Sequence, residues 1–169
     1  MNQLNYRKGS LADLQELKEL GLKAYGQFQQ VLTPDNWEKF RAGLADENKL
    51  IELVSISTVF ICETEKKKII GMAILVPSGH PMGFFLADWS SIRRVGVDTD
   101  YRGHGIAKQL TRLCIDHARQ ANEKYISLHT SEFMNDARHI YESLGFKMAR
   151  PIDDLFGKKY WLYLMELEE

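Results

Sequence analysis

Two periodicities alternate along this chain, and the places where they switch mark its elements. Leu4–Arg7 reads as a short strand. Leu11, Leu14, Leu17 and Gly21 then recur at helical spacing. Ser10 stands before them as an N-cap, with Asp13 three residues on as its capping-box partner. Thr33-Pro34 opens a second helix, a hydroxyl cap followed by a proline where the missing N–H costs nothing. Residues 46–56 read as a third helical piece with Leu50, Leu53 and Val54 inward. Thr58–Glu63 and Ile69–Val76 are β-rich runs around the charged turn Glu65–Lys68, a hairpin signal. Pro77–Met82 is a loop and Ser91–Val97 the next strand. Ile106, Leu110, Leu113 and His117 follow at spacings of four, three and four, which marks a helix face. Tyr125–Thr130 is a strand, and Asp136–Leu144 a helix that Gly145 closes. Phe146–Ala149 and Tyr160–Leu167 finish as strands. This order, β, two or three helices, three strands, α, β, α, β, β, predicts a mixed α/β sheet flanked by helices, with some parallel pairing.

Length and charge narrow the classes. A chain of 169 residues without repeat, linker or low-complexity tract is expected to form one domain over 1–169. Net charge is −1, so no overall field points to nucleic acid or an anionic membrane as partner. Lys66–Lys68 follows Glu63 and Glu65 and is read as a solvated turn. No apolar run approaches a membrane span, and MNQLNYRKGS lacks a signal peptide's apolar core; we expect a cytoplasmic protein. Cys62 and Cys114 are expected as buried free thiols. Two cysteines and five scattered histidines give no metal cluster.

The candidate chemistry lies in VGVDTDYRGHGIAKQL, residues 95–110. A strand, a glycine-containing basic turn and a helix start present a row of free N–H groups, a ready phosphate site. Gly103 and Gly105 open backbone angles closed to other residues, and Arg102 and Lys108 add charge. The dinucleotide fingerprint fails, because its third glycine would fall at Lys108; no GxxxxGK[ST] occurs either.

R102-G-H-G105-I-A107 resembles the acetyl-CoA signature of the GCN5-related N-acetyltransferase (GNAT) family, [QR]-x-x-G-x-[GA]. ARHIYESLGF, residues 137–146, is similar to that family's second motif, and the element order matches over nearly the whole chain. The resemblance implies a sheet of about seven strands, splayed at the fourth and fifth, with acetyl-CoA as co-substrate and no metal. It implies that the backbone of Val95, Gly96 and Val97 pairs with the pantetheine arm. It places the pyrophosphate on Arg102, Gly103, His104, Gly105, Ile106, Ala107 and Lys108, and makes Tyr141 the proton donor to the departing thiolate. Two positions depart from the pattern. Met134 stands where many relatives have asparagine, with Asn135 next to it as a substitute cofactor contact. Ser91 stands where many have a glutamate base, with Asp88 three residues earlier.

The implied reaction is attack of a primary amine on a thioester, in direct transfer through a ternary complex; a non-catalytic acyl-CoA sensor is the competing class. A lysine-like amine with a pKa of about 10.4 is almost wholly protonated at neutral pH, so a proton sink is needed. His129, Asp88 and Glu132 are its candidates, His129 against a structural role at the sheet edge and Asp88 against a loop cap. For Tyr141 the competing role is a core aromatic. Arg93 and Arg94 are adjacent in a strand, so we expect Ser91, Arg93, Val95 and Val97 on one face and Ile92, Arg94 and Gly96 on the other. One arginine should line a polar cleft and the other pair with an acidic neighbour, or both form surface ion pairs. Tyr25, Phe28, Trp37 and Trp89 flank the regions where the resembling family shapes its acceptor pocket. The acceptor is a small-molecule or peptide amine, and the apolar last strand permits a homodimer.

Overall fold

The helices begin where the caps stand. In the computed structural model, which describes residues 3–167, Ser10 Oγ accepts the Ala12 N–H at 3.2 Å and the Asp13 carboxylate accepts the Ser10 N–H at 3.0 Å. This box starts a 3-10 turn, Leu11–Asp13, that runs into α1 (Leu14–Tyr25). A second 3-10 turn, Gly26–Gln30, leads to α2 (Pro34–Ala45), where Thr33 Oγ1 accepts the Asn36 N–H at 3.2 Å. Asp46 caps α3 (Glu47–Ile56) through the Lys49 N–H. The remaining helices are α4 (Ile106–Gln120) and α5 (Asn135–Leu144), the latter closed by Gly145 at φ 109°.

The strands are β1 (Asn5–Lys8), β2 (Thr58–Glu63), β3 (Ile69–Val76), β4 (Ser90–Val97), β5 (Tyr125–Ser131), β6 (Lys147–Leu155) and β7 (Lys158–Glu166). They form one sheet in the order β1-β2-β3-β4-β5-β7-β6. Only β4 and β5 run parallel; every other neighbouring pair is antiparallel. β3 is buried along its whole length, which explains its unbroken apolar run. On one face Leu17, Leu20 and Leu50 pack over Ile61, Met72 and Ile74. On the other, Leu110 and Cys114 of α4 and Tyr141 of α5 pack over Ile126, Leu128 and Tyr163. Gly71 of β3 lets α4 lie close: a Cβ there would stand 2.7 Å from Ile106 Cγ2 and 3.0 Å from Leu110 Cδ1. Both cysteines are buried and free.

β4 and β5 pair only at Ser90↔Ile126 and Ser91↔Ser127. Ser90 Oγ donates to the Tyr125 carbonyl at 2.7 Å and Ser127 Oγ to the Ser90 carbonyl at 2.9 Å, which pins the joined end. Beyond it β4 carries a bulge: Ile92 pairs with Leu75 and Arg94 with Ile74, leaving Arg93 as the extra residue. The strands then part. This is the splayed mixed sheet that the resemblance implied.

The bulge breaks the expected alternation, so Ile92 shares a face with Val95 and Val97 in the α4-side core, while Gly96 faces Ala24 and Met72. The strand expected at Phe146–Ala149 runs to Leu155; its outer position, exposure and Pro151 gave it the look of a loop. The apolar last strand lies inside the sheet between β5 and β6, where Tyr160, Leu162 and Tyr163 are buried by this chain itself. Its apolarity therefore carries no argument for a dimer.

Candidate active site

The turn before α4 is braced from below. Asp98, 2% exposed, accepts the Asp100 N–H at 2.9 Å and pairs with Lys23 Nζ at 2.9 Å and Lys68 Nζ at 3.5 Å. Burial alone would raise its pKa; the hydrogen bonds from Lys23 and the Asp100 N–H outweigh that and hold it below the ordinary value. Gly103 and Gly105 follow at φ 82° and 74°. A Cβ on either would meet nothing within 4 Å, so the requirement is on the backbone, and the surface above is open to a ligand. Gly105 is the N-cap of α4, and no side chain caps the helix. The first-turn N–H groups of Ile106, Ala107 and Lys108 thus have no intrahelical partner and point outward. Arg102 serves differently from the expectation. Its guanidinium donates to Gln27 Oε1 at 2.7 Å and to the Ala24 carbonyl at 2.9 Å, locking the turn to the end of α1. His104 is exposed and does not line the cleft.

From this turn a cleft of about 810 Å³ passes through the β4–β5 gap to the α1–α2 side. Val95, Gly96 and Val97 line it. The peptide groups of Val95 are not idle: the Tyr25 hydroxyl donates to its carbonyl and accepts its N–H at 3.3 Å. Asn135 and Tyr141 line the cleft from α5. Tyr141 is 8% exposed, packs against Phe146 and makes no hydrogen bond among the described residues. Burial, reinforced by the neighbouring Tyr25 and Cys114, pushes its phenol well above the ordinary range, so it holds its proton.

At the far end His129 projects from β5 among Phe84, Phe85 and Tyr160, with ring centroids 5.0, 5.8 and 5.7 Å away. Burial, and secondarily the charge of Arg93, lowers its pKa to about 4. Nδ1 is buried without a partner. Phe28, Phe40, Phe133 and Phe156 form an adjoining aromatic wall, with Trp37 stacked behind Phe40. Both Arg93 and Arg94 line the cleft, and among the described residues neither pairs with a carboxylate, contrary to the expected division. Asp88 is exposed in the loop before β4 and Glu132 is exposed beyond β5; neither lines the cleft, nor does Trp89. No group of three or more His, Cys, Asp or Glu gathers as a metal site among the described residues.

This geometry has counterparts. A family model described as the Acetyltransferase (GNAT) family matches residues 16–146. The chain belongs to the GNAT acetyltransferase family. Among solved structures, the fold is similar to the PaiA N-acetyltransferase of Thermoplasma acidophilum in complex with coenzyme A, with a TM-score of 0.76 and 15% identity over 97% of this chain and 99% of that one. It is likewise similar to a NatC complex bound to Gag peptide and CoA, with a TM-score of 0.69 and 22% identity over 98% of this chain and 99% of that one. At these identities the likeness is one of fold. Curated relatives include the N-acetylaspartate synthetase of Xenopus tropicalis, 45% identical over 46% of this chain and 34% of that protein. Human N-acetyltransferase 8B is 32% identical over 54% of this chain and 39% of that protein. The matched segments span well under half of the length of these relatives.

Within this GNAT chain the turn at 102–108 was marked by its glycines, while the gap and the position of Tyr141 came from the family resemblance. Tyr25 was placed near the acceptor pocket but not against Val95, and Arg94 was one of two arginines of which one was expected in the cleft. The Tyr25–Val95 contact joins residues 70 positions apart and leaves no local signal. No helix among the described residues is long and apolar enough to cross a membrane.

Proposed function

We propose that residues 1–169 form a single N-acetyltransferase domain that moves the acetyl group of acetyl-CoA directly to a primary amine in a ternary complex. The observation that carries this reading is the continuous cleft. It joins an uncapped helix start, suited to a pyrophosphate, through a split sheet to an aromatic pocket, with Tyr141 beside the gap. The CoA in the PaiA and NatC structures, and the names of the acetyltransferase relatives, support the donor and the reaction class.

The turn's N–H groups hold the pyrophosphate, and Val95 offers its peptide groups to the pantetheine arm once Tyr25 releases them. Holding both reactants in one cleft supplies a large part of the rate. The amine nitrogen attacks the thioester carbonyl, a C–N bond forms, and the C–S bond breaks. Tyr141, kept protonated by burial, gives its proton to the departing sulfur and, as a strongly basic phenolate, regains one from solvent. The nitrogen's surplus proton goes to His129 Nδ1 and on to solvent. His129 at a pKa of about 4 is neutral at neutral pH but a weak base. It suits the acidic N–H of the tetrahedral adduct, not an ammonium in solution. Free amine is supplied instead by the cleft: aromatic walls and the charges of Arg93 and Arg94 disfavour a bound ammonium.

Mixing protein, acetyl-CoA and a panel of amines, with free thiol as the readout, tests this. Amine-dependent thiol release with stoichiometric N-acetyl product is expected. Acetyl-CoA binding without release for any amine would overturn it.

A further inference from the structure

Arg94 is the residue that the site so described does not use. It stands just after the bulge in β4, paired with Ile74, and its side chain lines the α1–α2 end of the cleft. Nη1 is buried without a partner, and no hydrogen bond or ion pair reaches its guanidinium among the described residues. Other arginines in the chain are held: Arg7 by Asp13 and Glu63, Arg102 by Gln27 and the Ala24 carbonyl. Its neighbour Arg93 is held as well, donating to Ser91 Oγ at 2.9 Å and to the His80 carbonyl, and lying over the Phe85 ring at 5.2 Å. A largely buried cation without an anion is strongly disfavoured. The burial of Arg94 disfavours its charged form, which nevertheless stays charged at neutral pH.

We propose that the acceptor is an α-amino acid with an apolar, aromatic-sized side chain, its carboxylate held by the Arg94 guanidinium and its side chain seated among Phe28, Phe40, Phe133 and Phe156. This rests on the acetyltransferase reading above and adds the class of amine. The guanidinium fork matches a carboxylate with two parallel hydrogen bonds. The pocket beside it is built of rings: Phe28 and Phe133 lie 4.8 Å apart edge to face, Phe40 and Phe156 4.9 Å. Such a surface holds an apolar body and gives a second carboxylate no partner. Asp136 is the sole acidic residue lining the cleft among the described residues, against Arg93, Arg94, Arg102 and Lys108. A polyamine would therefore meet repulsion. The arrangement also serves the chemistry, because the cation that anchors the carboxylate depresses the pKa of the amine one carbon away.

The test compares L-phenylalanine, L-phenylalaninamide, 2-phenylethylamine, L-aspartate and spermidine as acceptors. In parallel, N-acetyl-L-phenylalanine and N-acetyl-2-phenylethylamine are titrated calorimetrically into CoA-saturated protein. L-Phenylalanine is expected to exceed each other amine at least about tenfold in kcat/KM, and its acetylated product to bind about tenfold tighter than the uncharged analogue. Arg94→Gln should bring both ratios to within about threefold of unity, and Arg94→Lys should retain part of each. Acetyl-CoA titration of both variants checks that they fold. Equal use of L-phenylalanine and 2-phenylethylamine, preference for aspartate or spermidine, or ratios that survive Arg94→Gln would overturn the proposal while leaving acetyl transfer standing. Carboxylate-dependent binding that Arg94→Gln removes, with no turnover of any amine, would uphold the anchor and sink the transfer reading.

Discussion

Tyr141→Phe separates the acid from the core aromatic. The substitution removes one oxygen from a ring that is 8% exposed and packed 6.0 Å from Phe146. Its hydroxyl makes no hydrogen bond among the described residues, so no partner is stranded and no cavity opens. Stability should change by no more than about 0.5 kcal/mol, about 2 °C in Tm for a domain of this size. Loss of a positioned general acid costs about 10²-fold or more in rate, or about 3 kcal/mol in the barrier. Stopped-time thiol assays at saturating acetyl-CoA should thus show kcat falling about 10²-fold, with acetyl-CoA affinity and melting temperature nearly those of the parent. Because burial keeps the phenol protonated throughout, the deficit should stay constant from pH 7 to 10. A variant with parental kcat would refute the role of Tyr141 as proton donor; so would a deficit that disappears between pH 7 and 10, where the phenol is still protonated.

Three further outcomes follow from the geometry. Gly105→Glu sets a carboxylate at the start of α4, at a φ of 74° that costs a non-glycine residue about 1–2 kcal/mol; acetyl-CoA binding by calorimetry should vanish, and parental affinity would reject the pyrophosphate site. Gly71→Ala drives a Cβ to 2.7 Å from Ile106 Cγ2; overpacking of about 1–3 kcal/mol should lower Tm and weaken acetyl-CoA binding together, because α4 must shift. His129 has a folded pKa of about 4 against an ordinary 6.5, so the unfolded chain binds the extra proton first as pH falls. Its contribution is present above pH 6.5 and is lost progressively down to pH 4, up to about 3 kcal/mol. Chemical unfolding across that window should show a flatter acid limb for His129→Gln, and identical limbs would remove the assignment.

What the sequence could disclose was local. The helix caps read at Ser10 and Thr33 form because a side-chain oxygen and an N–H two or three residues on need only each other. The phosphate turn was legible because Gly103 and Gly105 answer a backbone demand. Contacts between distant segments left no such trace. Nothing near Tyr25 announces that its hydroxyl will hold Val95, and nothing in Ser91–Val97 separates a bulge from plain alternation, since the extra residue is one of two adjacent arginines. Asp88 was chosen for its distance along the chain from Ser91, but the loop turns it outward. Arg102 was read by its charge, while the end of α1 already occupies its fork.

The bulge at Arg93 has a further consequence. Strand length here decides whether the sheet has a doorway. Without that one residue, β4 would keep step with β3 and could go on pairing with β5 past Ser91 and Ser127, closing the passage between donor and acceptor sides. Ile92 and Arg94, already opposite adjacent residues of β3, would become consecutive and stay on opposite faces, so the core and pocket side chains would keep their places. Shortening the chain by a single codon at this point would therefore disconnect two half-sites at the loss of one lining side chain, that of Arg93.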